Sequence, residues 1–152
     1  MKQLVLFFCF LLFFLSGCAT YDSLRHNSFT MQIPPWEYQE KISFEGTYNG
    51  FFATDGSCAL NMTFSSQSVL AAAHASFASL HAQDQQATVI PEIFDTSATL
   101  VYQLSQPEPL QGKLKILACP SHYTYVVDYS CPQKIFAKRS SDAAYVLDSM
   151  TC

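Results

Sequence analysis

Six cysteines, four histidines and twelve acidic side chains are the groups in this 152-residue chain that could form covalent bonds, ligate metal or move protons. Cys58, Cys119, Cys131 and Cys152 lie in the body of the sequence, and no two of them form the Cys-x-x-Cys pair that commonly holds zinc. Four thiols without ligand spacing predict two disulfides in an oxidising compartment, with three connectivities open to them. If residues 122–129 are an extended strand, Cys119 and Cys131 stand at its opposite ends, well beyond the ~7 Å that bridged Cα atoms allow. The expected bridges are Cys58–Cys119 and Cys131–Cys152. His74 and His81 sit on a predicted helix about 10 Å apart along its axis, too far to share one ion. No metal is expected.

Catalytic patterns are missing from the rest. There is no Gly-x-Ser-x-Gly elbow, no His-Glu-x-x-His, no phosphate-cradling glycine loop and no dinucleotide fingerprint. Asp55, Glu92, Asp95 and Asp128 supply carboxylates, but nothing in their spacing pairs two for glycoside cleavage. The sequence therefore predicts neither an enzyme nor a cofactor. With 8 basic against 12 acidic residues and a formal charge of −4, it also lacks the basic footprint of a nucleic-acid-binding protein.

Tyrosines are the remaining side chains of interest. Tyr123, Tyr125 and Tyr129 share parity with Val127 on one predicted strand, and Tyr102 stands on another. Exposed, such a row could stack on sugar rings or face a protein partner, because tyrosine offers contact area at low entropic cost. Buried, it is core with hydroxyls reaching the rim. Period-two alternation favours the core, and places His122 and Asp128 on the opposite, solvent-facing side.

The amino terminus reads Met1-Lys2-Gln3, then Leu4 to Leu15 without a polar side chain, then Ser16-Gly17-Cys18-Ala19. A dozen apolar residues cover about 18 Å, too little for a ~30 Å hydrocarbon layer, so residues 1–17 read as a secretory signal. Leu15-Ser16-Gly17-Cys18 resembles the lipobox of bacterial lipoproteins. That resemblance implies cleavage before Cys18, acyl chains on Cys18, and, with Ala19 following, residence in the outer membrane. Two or three acyl chains hold a protein on a bilayer stably where one does not. The alternative is an ordinary leader cut near Gly17 or Ala19, which would discard Cys18 or leave it a plain thiol. Loss of Lys2 with the leader makes the remainder more acidic still, so attachment would rest on lipid and not on a basic patch.

These groups need elements to position them. Residues 18–35, ending in Pro34-Pro35, lack sustained periodicity and are expected to form a lipidated tether reaching at most ~60 Å. One globular domain then spans 36–152. Ile42, Phe44, Gly46 and Tyr48 alternate with polar residues, Asn49-Gly50 signals a type I′ hairpin, and Asp55-Gly56 a second turn before Cys58, Leu60, Met62 and Phe64 alternate in turn. Ser65 or Ser66 caps a predicted helix to Gln83 whose apolar face carries Leu70, Ala73, Phe77 and Leu80. Strand-like stretches follow at 98–104, 113–119, 122–130 and 134–138, punctuated by Pro107, Pro109, Pro120 and Pro132. A short closing helix over 142–150 delivers Cys152 back toward the sheet. The expected class is α+β, a two-layer fold with an antiparallel sheet of about five to six strands, one main helix and a short C-terminal helix, stapled by disulfides.

Two functions fit this reading. The first is a non-enzymatic cell-envelope lipoprotein, membrane-bound through acyl chains on Cys18, acting as an accessory or assembly subunit that binds another envelope protein. The second is a glycan- or small-ligand-binding module that uses the face of Tyr102, Tyr123, Tyr125 and Tyr129.

Overall fold

A computed structural model describes residues 22–42, 49–105 and 108–152. The leader, the lipobox with Cys18, and residues 43–48 of the first expected strand lie outside the described residues. In chain order the elements are β1 (Asp22–His26), β2 (Phe29–Ile33), β3 (Glu37–Ile42), β4 (Asn49–Thr54), β5 (Ala59–Ser65), α1 (Val69–Gln83), β6 (Thr88–Ile93), β7 (Ser97–Leu104), β8 (Leu110–Ala118), β9 (Thr124–Pro132) and α2 (Gln133–Asp148). β1 and β2 pair as a hairpin, while the other strands form one seven-stranded sheet in the order β3-β4-β5-β9-β8-β7-β6. Every pairing is antiparallel. The class is α+β, as the alternating segments imply.

Alternation sets the two faces of that sheet. Along β5, Leu60, Met62 and Phe64 are buried between half-buried neighbours, and β9 does the same with Tyr125, Val127, Tyr129 and Cys131. These residues join Phe29, Met31 and Ile33 of the hairpin and Phe136, Val146 and Leu147 of α2 in one core. The second core lies on the opposite face, where Val69, Ala72, Ala73 and Leu80 of α1 meet Leu100, Tyr102, Leu114 and Ile116. Helices thus cover both faces. The expected two-layer arrangement is corrected to three layers, because the odd and the even residues of β8 and β9 both need shelter from water.

Other expectations give way to tertiary packing. Residues 22–33, expected within the tether, fold as the β1–β2 hairpin with Phe29 and Met31 wholly buried, so the domain begins well before residue 36. Asn27 turns the hairpin at φ 52°, a left-handed conformation that asparagine tolerates. Thr30 and Thr151 exchange backbone hydrogen bonds, each 2.9 Å, tying the hairpin to the segment after α2. Trp36, the chain's one tryptophan, follows Pro34-Pro35 and rests against Tyr129 with ring centroids 5.6 Å apart. Asn49-Gly50 opens β4, paired with Ile42 and Lys41, and is not the centre of a tight hairpin. Asp55-Gly56 does turn the chain: the Asp55 carboxylate accepts from Ser57 and Cys58 N–H at 2.8 and 2.7 Å, and Gly56 takes φ 83°.

Residues 134–138, expected as a strand, belong to α2, whose buried Phe136, Ala143, Val146 and Leu147 recur at helical spacing. Pro132 precedes the first turn, where a missing N–H costs nothing. At the other end Lys115 donates to the Leu147 carbonyl at 2.7 Å, placing a cation where the helix dipole is negative.

Both disulfides form, with a connectivity different from the one expected. Cys58 bonds Cys131 and Cys119 bonds Cys152. Because β5 pairs with β9 in the register Ala59↔Ser130, Cys58 and Cys131 fall directly opposite one another, with Cα atoms 4.3 Å apart. The order of strands in the sheet, invisible to local pattern, decides the pairing.

Candidate functional site

Helix α1 divides its face of the sheet into two flanks. Its N-terminus is set by Ser68, whose hydroxyl accepts from the Ala71 N–H at 3.2 Å, two or three residues later than the Ser66 or Ser65 expected. Its end is fixed by buried Asp84, whose carboxylate accepts from Gln86 and Ser105 N–H at 2.9 and 2.6 Å. The small side chains of Ala72 and Ala73 form the seam against the sheet, bringing the helix close. Large residues are displaced sideways. Leu70 and Phe77, expected on the buried face, are 55% and 41% exposed.

Toward β6, the flank is apolar. Ala73, His74 and Phe77 of α1 and Pro91, Ile93 and Leu100 of the sheet line a groove of about 280 Å³. Ile93 in its lining stays exposed, as does Phe94, the residue after β6. β6 is the outermost strand on that side, and Pro91 within it withholds an N–H, so what the edge offers a partner is side chains more than a free strand ladder. Phe77 and His81 pack with ring centroids 4.5 Å apart, and His74 lies seven residues before His81 on α1.

Toward β5, the flank is polar. A cleft of about 450 Å³ runs between α1 and the sheet, with Ser76, Ser79 and Gln83 on the helix side and Asn61, Thr63 and Gln67 from β5 and the loop after it. Asp128 of β9 lies on its sheet side. Expected to face solvent, Asp128 is half-buried, and the single Tyr102 hydroxyl proton is shared between its two carboxylate oxygens, at 2.9 and 3.0 Å. Burial drives its pKa up to about 7, a rise that the Tyr102 hydrogen bond only partly opposes. Burial likewise raises the Tyr102 phenol, with the neighbouring Asp128 charge adding to it. Tyr102 lies over Gly112 of β8, where any Cβ would overlap its ring. Parity alone gives no sign of this pair, because it reads the face opposite the tyrosine row as solvated.

The tyrosines do not form a surface. Tyr102, Tyr125 and Tyr129 are core, on two different faces of the sheet, and only Tyr123 is partly exposed. Tyr125 stacks on Phe29 at 4.2 Å, bonds the His26 ring at 2.8 Å and donates to the His26 carbonyl at 3.1 Å. Burial lowers the His26 pKa and raises that of Tyr125. His122 is exposed, at φ 65° in the turn before β9. Among the described residues no group of three or more His, Cys, Asp or Glu is placed to hold a metal.

The fold is similar to those of known proteins, two solved structures among them. One is the solution structure of cyanobacterial PsbP (CyanoP) from Synechocystis sp. PCC 6803, at TM-score 0.65 and 13% identity over 90% of this chain and 95% of that one. The other is the Ran-binding protein Mog1p of Saccharomyces cerevisiae, at TM-score 0.57 and 8% identity over 88% of this chain and 96% of that one. No family model and no curated protein matches the sequence. At these identities the likeness is one of fold.

Proposed function

We propose that this protein is a non-enzymatic accessory subunit of a bacterial cell envelope, anchored in the outer membrane by acyl chains on Cys18, that binds another envelope protein through the α1–β6 edge. The observation that carries the reading is an apolar groove lined by exposed Phe77 and Ile93, with Leu70 of α1 and Phe94, the residue after β6, exposed as well. Apolar side chains gathered on one flank of a soluble domain mark a contact surface, and aromatic residues there make strong anchors. The use of the same fold by a Ran-binding protein is in keeping with a binding role. The groove, with a volume of about 280 Å³, suits an apolar helix face or a pair of anchor residues on the partner. Burial of the tyrosine row leaves the glycan reading without the surface it was built on.

The test is cross-linking in cells, with native protein, a Cys18→Ser form and a Phe77→Lys/Ile93→Lys double variant. The native protein is expected to yield acylated Cys18 by mass spectrometry and one stoichiometric protein partner. The double variant should stay folded and membrane-bound yet lose the partner. A partner retained at the native level by the double variant overturns the docking edge, and an unmodified Cys18 overturns the anchor.

A further inference from the structure

The polar cleft lies on the other side of α1 from the docking edge and is independent of it. Its chemistry is unusual in one respect: among the described residues its lining contains a carboxyl group and no cation. Asp128 shares a register row with Asn61 of β5 and Leu114 of β8, and Tyr102 reaches it from β7. Ser130, its neighbour on the same face of β9, bonds the Tyr102 hydroxyl. From α1 the cleft receives Ser76, Ser79 and Gln83 with Leu80, and among the described residues no lysine, arginine or histidine lines it. The one titratable group facing Asp128 is therefore Tyr102, which can neutralise nothing because it donates a hydrogen bond while remaining a phenol.

We infer that this cleft is a binding site for a small organic ammonium compound, with Asp128 as the counter-ion, Asn61, Ser76, Ser79 and Gln83 as hydrogen-bonding groups, and Leu80, Leu114 and Val126 against the apolar body of the ligand. A half-buried carboxylate is costly without an opposite charge, and none of the described residues lining the cleft supplies one. A proton can fill that role, and so can an ammonium group, which brings three donors to the carboxylate and the surrounding hydroxyls and amides. An anionic ligand is disfavoured for the same reason, because nothing in the lining would offset its charge. The volume of about 450 Å³ is that of an ordinary small-molecule pocket, and its lining mixes apolar walls with a few convergent polar groups as such pockets do.

The inference has a signature that a merely structural Asp128 would not produce. Ammonium and proton compete for one carboxylate, so affinity must fall about tenfold for each unit of pH below the carboxyl's midpoint and level off above it. Conversely, a bound ammonium must lower that midpoint.

The experiment uses the full chain with isotope-labelled aspartate and backbone amides, titrated with benzylammonium chloride and, separately, with benzyl alcohol as its neutral isostere. Benzylammonium is expected to shift the amides of Ser76, Ser79 and Gln83, to lower the Asp128 carboxyl midpoint, and to bind roughly tenfold or more tighter than benzyl alcohol. Asp128→Asn, which keeps an oxygen for the Tyr102 hydroxyl, should retain the amide spectrum of the fold and lose the benzylammonium response. Equal binding of the alcohol, an unmoved Asp128 midpoint, an undiminished response in Asp128→Asn, or no shift of the cleft amides at millimolar benzylammonium each overturns the inference.

Discussion

Asp128 keeps its proton in a pH range where most aspartates have lost theirs. The folded carboxyl titrates at about 7, against an ordinary value of 3.8 that the unfolded chain restores. Between those values the folded state binds more protons, so this group's contribution to stability is complete below about 4 and disappears as pH rises through 7. His26 works in the opposite sense, since burial lowers its pKa and its contribution is lost as pH falls below its ordinary 6.5. The difference between the wild type and Asp128→Asn isolates the carboxyl. Urea midpoints measured from pH 4 to 8 should show the wild type losing stability relative to Asp128→Asn by on the order of a few kcal/mol; parallel profiles would contradict the raised pKa. Gly112→Ala addresses the same pair from the other side. Its methyl overlaps the Tyr102 ring, so Tyr102 must move off Asp128. A loss of about 1–3 kcal/mol in urea denaturation is expected, together with a changed Asp128 titration.

Among the elements, the hairpin and the two helices divide the legible from the illegible. β5 and β9 could be read from their alternation, and α1 from its apolar spacing, because each runs long enough for its period to show. The hairpin also alternates, in Phe29, Met31 and Ile33, but over only five residues beside Pro34-Pro35, and a run that short reads equally well as loop. Within α2, Lys134 to Lys138 mimics a strand until the frame is extended to Leu147, where Phe136, Ala143 and Val146 fix a helical period. Asp128 and the disulfide pairing were illegible for a different reason. Both depend on which strands are neighbours and on a helix covering each face, and neither is a local property. The hairpin gives the sharpest test at this scale. A chain starting at residue 36 would be as soluble as the native one if residues 18–35 were a tether. With Phe29, Met31 and Ile33 removed from the core, it should instead aggregate or unfold, checked by gel filtration and circular dichroism.

For the molecule as a whole, the two disulfides join parts that the chain visits far apart in time. Cys58–Cys131 spans 73 positions and locks β5 to β9 in the middle of the sheet. Cys119–Cys152 spans 33 positions and holds the segment after α2 near the turn between β8 and β9. Each should contribute about 2–4 kcal/mol, a large share of the ~5–15 kcal/mol of a small domain. Reduction is expected to lower the urea midpoint sharply, and a non-reducing peptide map should recover the pairs 58–131 and 119–152. Recovery of 58–119 would refute the pairing of β5 with β9, since that register puts Cys58 at the Cys131 end of β9 and Cys119 beyond the other end.

Trp36 gives this architecture an optical reporter. It sits at the exit of the hairpin, against Tyr129 and on the core that holds the Cys58–Cys131 sulfurs, while α1, Tyr102 and the cleft occupy the far side of the sheet. Fluorescence excited through the indole therefore sees one half of the protein and is blind to the other. Departure of the hairpin would change its emission at once, whereas events on the α1 face would pass in the dark unless they travelled through the sheet.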